Sequence, residues 1–171
     1  MRRFLMAALV LLATVVVSQA SAATLDFKAT IKGEYPGASP DNACPTDPTL
    51  FTCETGVLQG YGKITQVFTL VSEAEVDGCL ETTGDVLWTL VSDPDSTFMT
   101  REVYLNCAPG ASAGSPGNRF HSFGNPVSAT GTFVISAGTG LFAGASGTGA
   151  LTLTGAGDTI VIRYDGTITL P

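Results

Sequence analysis

The chain has 171 residues, 44% of them hydrophobic, and eight basic against fifteen acidic residues for a net charge of −7. That length holds one domain with a single core. The acidic balance argues against a nucleic-acid or anionic-membrane partner, since both need a basic face, and leaves solubility outside the cell as its plain reason.

Taken in chain order, the N-terminus comes first. Arg2 and Arg3 precede an apolar run over residues 4–17 broken only by Thr14, and Ala20-Ser21-Ala22 has the A-x-A form of a cleavage site. The run is short for a membrane span. It predicts a signal peptide over residues 1–23 and a mature domain over 24–171, secreted or periplasmic, with an uncleaved anchor as the rival. Loss of Arg2 and Arg3 leaves six basic residues against fifteen acidic ones, a net charge near −9. No second long apolar segment follows, so no membrane association is expected after cleavage.

Four cysteines remain, Cys44, Cys53, Cys79 and Cys107. An even count in an exported chain implies disulfides, with three pairings open. Cys44–Cys53 with Cys79–Cys107 is the favoured set. Metal and redox chemistry are not expected, because there is no C-x-x-C pair and His121 is the only histidine. No cofactor is implied.

Period-2 alternation recurs through the rest. Leu25, Phe27, Ala29 and Ile31 alternate with polar residues in a first strand. Residues 41–55 read as a loop, and 57–72 as one long strand with Gly60 and Gly62 as bulge or bend points. A strand over 85–91, a turn at Asp93-Pro94-Asp95-Ser96 and a strand over 97–106 form the clearest hairpin. Residues 108–118 read as a Gly, Ser and Pro-rich loop. Three closing strands follow over 126–136, 147–154 and 159–170, with one short helical turn near Leu141-Phe142-Ala143. Residues 120–157 contain no Asp, Glu, Lys or Arg. Such a stretch needs cover: it is sealed in a closed barrel or it drives self-association. The pattern suits an all-β, antiparallel closed barrel of about eight strands. A sandwich competes, but Trp88 lies too close to Cys79 and Cys107 for the immunoglobulin spacing.

Strand alternation also selects candidate site residues. Met99, Arg101, Val103 and Leu105 share one face; Phe98, Thr100, Glu102 and Tyr104 share the other. One of Arg101 and Glu102 therefore points into the barrel, where a charge is costly unless paired. Arg101, Glu102, Tyr104 and Trp88 are the candidate ligand anchors. Ile160, Ile162 and Tyr164 form an inward set that places Arg163 outside. No G-x-S-x-G elbow exists, and His121 reads as an exposed loop residue. The Glu73/Glu75 pair reads as a solvated strand end and Asp93/Asp95 as turn chemistry.

Residues 131–155 read GTFVISAGTGLFAGASGTGALTLTG. Their centre, Gly138 to Gly147, resembles a motif of bacterial secreted proteins that look like relatives of the allene oxide cyclase and dirigent barrels; Gly60-Tyr61-Gly62-Lys63 agrees more loosely. The resemblance implies a calycin-like antiparallel barrel with an apolar interior. Gly138, Gly140, Gly144 and Gly147 would shape a tight turn and Phe142 would plug one end. Plant relatives cyclise an oxylipin or steer phenol coupling, but none of their catalytic residues maps here by motif, and fold does not transfer function. The expectation is an exported, non-catalytic barrel that binds a small apolar ligand or self-associates. The alternative, a cyclase or isomerase acting inside the barrel, rests on the resemblance alone. A packed interior would count against both catalysis and small-ligand binding.

Overall fold

The computed structural model describes residues 22–34, 52–107, 127–156 and 159–171. Eight strands run in chain order: β1 (Ala23–Glu34), β2 (Thr52–Leu58), β3 (Gly62–Val76), β4 (Cys79–Leu90), β5 (Asp93–Asn106), β6 (Val127–Gly138), β7 (Ser146–Ala156) and β8 (Thr159–Leu170). Each pairs antiparallel with the next, and β8 returns to β1, so the sheet closes as an up-and-down barrel. Closure removes the open edges that the charge-free β6–β7 segment would otherwise present.

Alternation decides which side chains enter the barrel. From β1 come Phe27, Ala29 and Ile31; from β8, Ile160, Ile162, Tyr164 and Ile168, all buried. Leu25 has the same phase but sits at the barrel mouth and is 45% exposed. Large rings are seated where the facing strand has no side chain. A Cβ on Gly84 would fall 2.2 Å from the Phe68 ring, and one on Gly149 would fall 2.6 Å from the Phe133 ring.

Three expectations are corrected. The run 57–72 is not one strand: β2 and β3 form a hairpin whose turn is made by Gly60 and Gly62, with φ of 84° and 104°. Both angles lie where glycine is at home. Residues 52–55, assigned to a loop, belong to β2. The β4–β5 turn lies at Val91-Ser92, and Asp93-Pro94-Asp95-Ser96 is a bulged start of β5, where pairing jumps from Thr89–Thr97 to Leu90–Asp93.

That bulge has a purpose in the packing. Ser96 is fully buried, donates to Asp93 and accepts from the Leu141 amide at 2.9 Å, while the Thr139 hydroxyl donates to the Asp95 carbonyl at 2.6 Å. The bulge thus holds the β6–β7 connection, a short 3₁₀ turn over Gly140–Phe142. Gly140 and Gly144 have positive φ, and a Cβ on Gly138 would strike the Phe142 carbonyl oxygen at 2.0 Å. Phe142 is fully buried against Phe98 and Tyr61, with ring centroids 4.8 and 5.1 Å away. The Gly-rich turn therefore seats Phe142 at this end of the barrel.

At the opposite end a disulfide joins Cys79 to Cys107, one step beyond the Leu80–Asn106 pair, with Cα atoms 4.2 Å apart. It clips β4 to β5, as expected. The expected Cys44–Cys53 bridge lies outside the described residues, as do His121, the loop over 108–118 and residues 1–21 of the expected signal peptide.

Candidate functional site

On β5, Ser96, Phe98, Thr100, Glu102, Tyr104 and Asn106 all face inward and are buried. Glu102, not Arg101, is the charge that enters the barrel. Arg101 lies on the outer face, half exposed, and donates through Nε and Nη2 to both carboxylate oxygens of Asp85, its cross-strand neighbour. That pairing raises the arginine pKa further. Of the four candidate anchors, the structure brings Glu102, Tyr104 and Trp88 into one interior cluster and leaves Arg101 outside it.

The cluster crosses the lumen. Glu102 Oε1 accepts from the Thr100 hydroxyl at 2.7 Å, and Thr100 accepts from Trp88 Nε1 at 3.0 Å. Oε2 accepts from the Tyr104 hydroxyl and, at 3.2 Å, from the Tyr164 hydroxyl on β8. Gln66 on β3 donates to Tyr164 at 3.2 Å. Each chain of donors ends on the Glu102 carboxyl, the arrangement an acceptor-only carboxylate requires. Strands β3, β5 and β8 do not neighbour one another in the barrel, so these bonds span the interior.

Aromatic rings fill the level between the cluster and the plug. Phe27 lies 5.5 Å from Trp88, 5.8 Å from Phe98, 5.1 Å from Phe133 and 6.4 Å from Tyr164, centroid to centroid. Trp88 stacks on Phe98 at 5.0 Å. Beyond the cluster, Phe68 meets Tyr104 at 6.2 Å, and Leu80, Thr82 and Asn106 are buried toward the disulfide end.

Electrostatics follow from this burial. Removal from water pushes the Glu102 carboxyl up from 4.5 to about 7, against the opposing effect of hydrogen bonds from Tyr104, Thr100 and Tyr164. Burial also pushes both tyrosine hydroxyls well above their ordinary value, and the Glu102 charge adds to the shift. The Arg101–Asp85 ion pair lies on the outer face, away from Glu102.

Comparisons with protein-family models, curated proteins and solved structures find no match.

Three members of the cluster escaped the sequence reading. Gln66 and Thr100 are common strand residues whose inward phase carries no chemical signal. Glu54 is the third. It is buried from β2 against Gly33, where a Cβ would come 2.7 Å from its Cγ, and its charge acts on Tyr164. It went unnoticed because residues 41–55 read as a loop, whose side chains have no inward face. Among the described residues, no three His, Cys, Asp or Glu side chains converge as a metal set would. Two broad depressions lie on the outer face instead. One of about 630 Å³ is lined by Lys28, Thr30, Val57, Thr152, Arg163 and Asp165 among others. A second of about 580 Å³ shares Thr30 and Val57 with it and adds Lys32, Thr55, Lys63 and Val91.

Proposed function

We propose that the protein is an exported, non-catalytic β-barrel that works through its outer surface, by self-association, rather than by chemistry or ligand storage in its lumen. The carrying observation is the set of cross-lumen hydrogen bonds, Tyr164 to Glu102 and Gln66 to Tyr164. The centre of the barrel is occupied by the protein's own side chains, and the polar atoms there satisfy one another. Export is supported by the N-terminal pattern over residues 1–23 and by the Cys79–Cys107 bridge, which suits an oxidising compartment. Cleavage after residue 23 would remove only the first residue of β1, which starts at Ala23. The closed eight-stranded meander and the Gly-rich plug support kinship with the allene oxide cyclase and dirigent barrels.

Native mass spectrometry of the purified protein, joined to sedimentation velocity over a range of concentrations, tests this reading. The expected result is ligand-free chains that associate as concentration rises. A monomer that retains a small apolar molecule would overturn it. One observation favours a second reading, a cyclase or isomerase acting on an apolar substrate: a carboxyl poised near neutrality beside tyrosine hydroxyls suits general acid–base work. That reading requires Tyr164 to swing out of the lumen, and Tyr164→Ala should then open a cavity that binds 2-naphthol and shifts Trp88 emission.

A further inference from the structure

The three lysines of the chain, Lys28, Lys32 and Lys63, lie on one outer face with Arg163. Strand register explains the clustering. Thr30 is opposite Arg163 on β8 and opposite Val57 on β2, and Val57 is opposite Lys63 on β3. Lys28 and Lys32 flank Thr30 two residues away on β1, each about 7 Å along the strand. The four cations therefore surround Thr30 and Val57, which are the residues common to both outer depressions. Val57 is 54% exposed. Asp165, opposite Lys28, is the acid lining this surface, and none of the four cations forms an ion pair with a described residue. A basic, partly apolar depression on a strongly acidic chain calls for an anionic occupant.

The same molecule carries a matching surface. Past Phe68, where pairing with β2 ends, β3 continues along β4, which is itself paired to β5 as far as Leu80–Asn106, and this β3–β4 ribbon at the sheet's end turns at Asp77-Gly78. Glu73, Glu75, Asp77 and Glu81 lie on it, and no Lys or Arg occurs between Lys63 and Arg101. Val71 and Val76 are exposed there, at 48% and 39%. The ribbon cannot reach the depression of its own molecule, because Lys63 and Glu75 lie on the same strand, about 40 Å apart at ordinary strand rise.

We infer that the acidic β3–β4 ribbon of one copy docks in the cationic depression around Thr30 and Val57 of a second copy. The contact is heterologous: each molecule offers a ribbon to one neighbour and a depression to another, so association grows head to tail rather than stopping at a closed pair. Exposed valines on both sides supply apolar area, and the charges set orientation and partner choice. The inference rests on the self-association proposed above and names the surfaces that carry it.

A charge swap tests it. Lys32→Glu/Lys63→Glu reverses the depression, and Glu75→Lys/Glu81→Lys reverses the ribbon; Lys32, Lys63 and Glu75 are exposed and Glu81 is half-buried, and unchanged circular dichroism and unfolding midpoints verify the fold. In sedimentation velocity, the unaltered protein associates with rising concentration and disperses between roughly 0.01 M and 1 M salt, as the Debye length falls from about 30 to about 3 Å. Each reversed variant alone associates about tenfold more weakly or not at all. An equimolar mixture of the two regains association, since each then offers the other a complementary surface. Association that survives both reversals overturns this docking but leaves self-association standing, with the uncharged outer face of β6–β7 as the next surface to test. A strict monomer under all conditions overturns both, and if that monomer binds dextran sulfate through the same lysines, the depression belongs to a foreign polyanion.

Discussion

The two ends of this barrel close by different means. At the Phe142 end, tight turns and a bulge bring Phe142, Tyr61 and Phe98 into one aromatic plug, fixed by hydrogen bonds from the Leu141 amide to Ser96 and from the Thr139 hydroxyl to the Asp95 carbonyl. Toward the Cys79–Cys107 end the interior turns polar, with Glu54, Gln66, Thr82, Glu102 and Asn106 all buried, and a covalent bridge ties β4 to β5. Apolar packing is indifferent to pH and redox state, whereas a buried carboxyl and a disulfide respond to both. The lesson is that one barrel can carry an inert end and a condition-sensitive end with no change of topology.

The largest effect that would break this contrast is at the plug. Phe142→Ala should destabilise by about 3–5 kcal/mol, as for a buried aromatic truncated in a closed core, read by urea unfolding, and equally at acid and neutral pH. Loss of the disulfide in Cys79→Ser/Cys107→Ser should cost about 3–4 kcal/mol by loop-closure entropy across the 28-residue separation. Dithiothreitol should have a similar effect on the unaltered protein and none on the variant.

Next comes pH. The folded Glu102 pKa, about 7, lies above its ordinary value of 4.5. Below 4.5 both folded and unfolded chains hold the proton and nothing is lost. Between 4.5 and 7 the unfolded chain releases it first, so stability falls as pH rises, by about 3 kcal/mol in all. Glu102→Gln should remove that slope, giving the same unfolding midpoint at pH 4 and pH 8. Smallest is Arg101→Ala. Its exposed pair with Asp85 is screened by water, and the midpoint should stay within experimental error.

The inward faces of β1 and β8 were legible, because strict alternation of apolar and polar residues leaves one register in which Phe27, Ala29, Ile31, Ile160, Ile162 and Tyr164 share the core. The plug was legible through its glycines. The hairpins were less so. Asp77-Gly78, with φ of 50° and 78°, is a strong two-residue turn signal; the sequence reading passed over it, and it sets the whole β3–β4 ribbon. Val91-Ser92 carries no such signal, so Asp93-Pro94 was taken for the turn it adjoins. The site was half legible: alternation reduced the inward charge to Arg101 or Glu102. Only the closed barrel decides between them, because only closure sets Tyr164 across the lumen from Glu102.

The most direct test of a lumen filled by its own side chains is the titration of Glu102 itself, followed by ¹³C-carboxyl NMR with Glu102→Gln to assign the signal. A midpoint near pH 7 is predicted, since no water reaches the carboxyl. A midpoint near 4.5 would mean a wet, open channel, and would contradict the account.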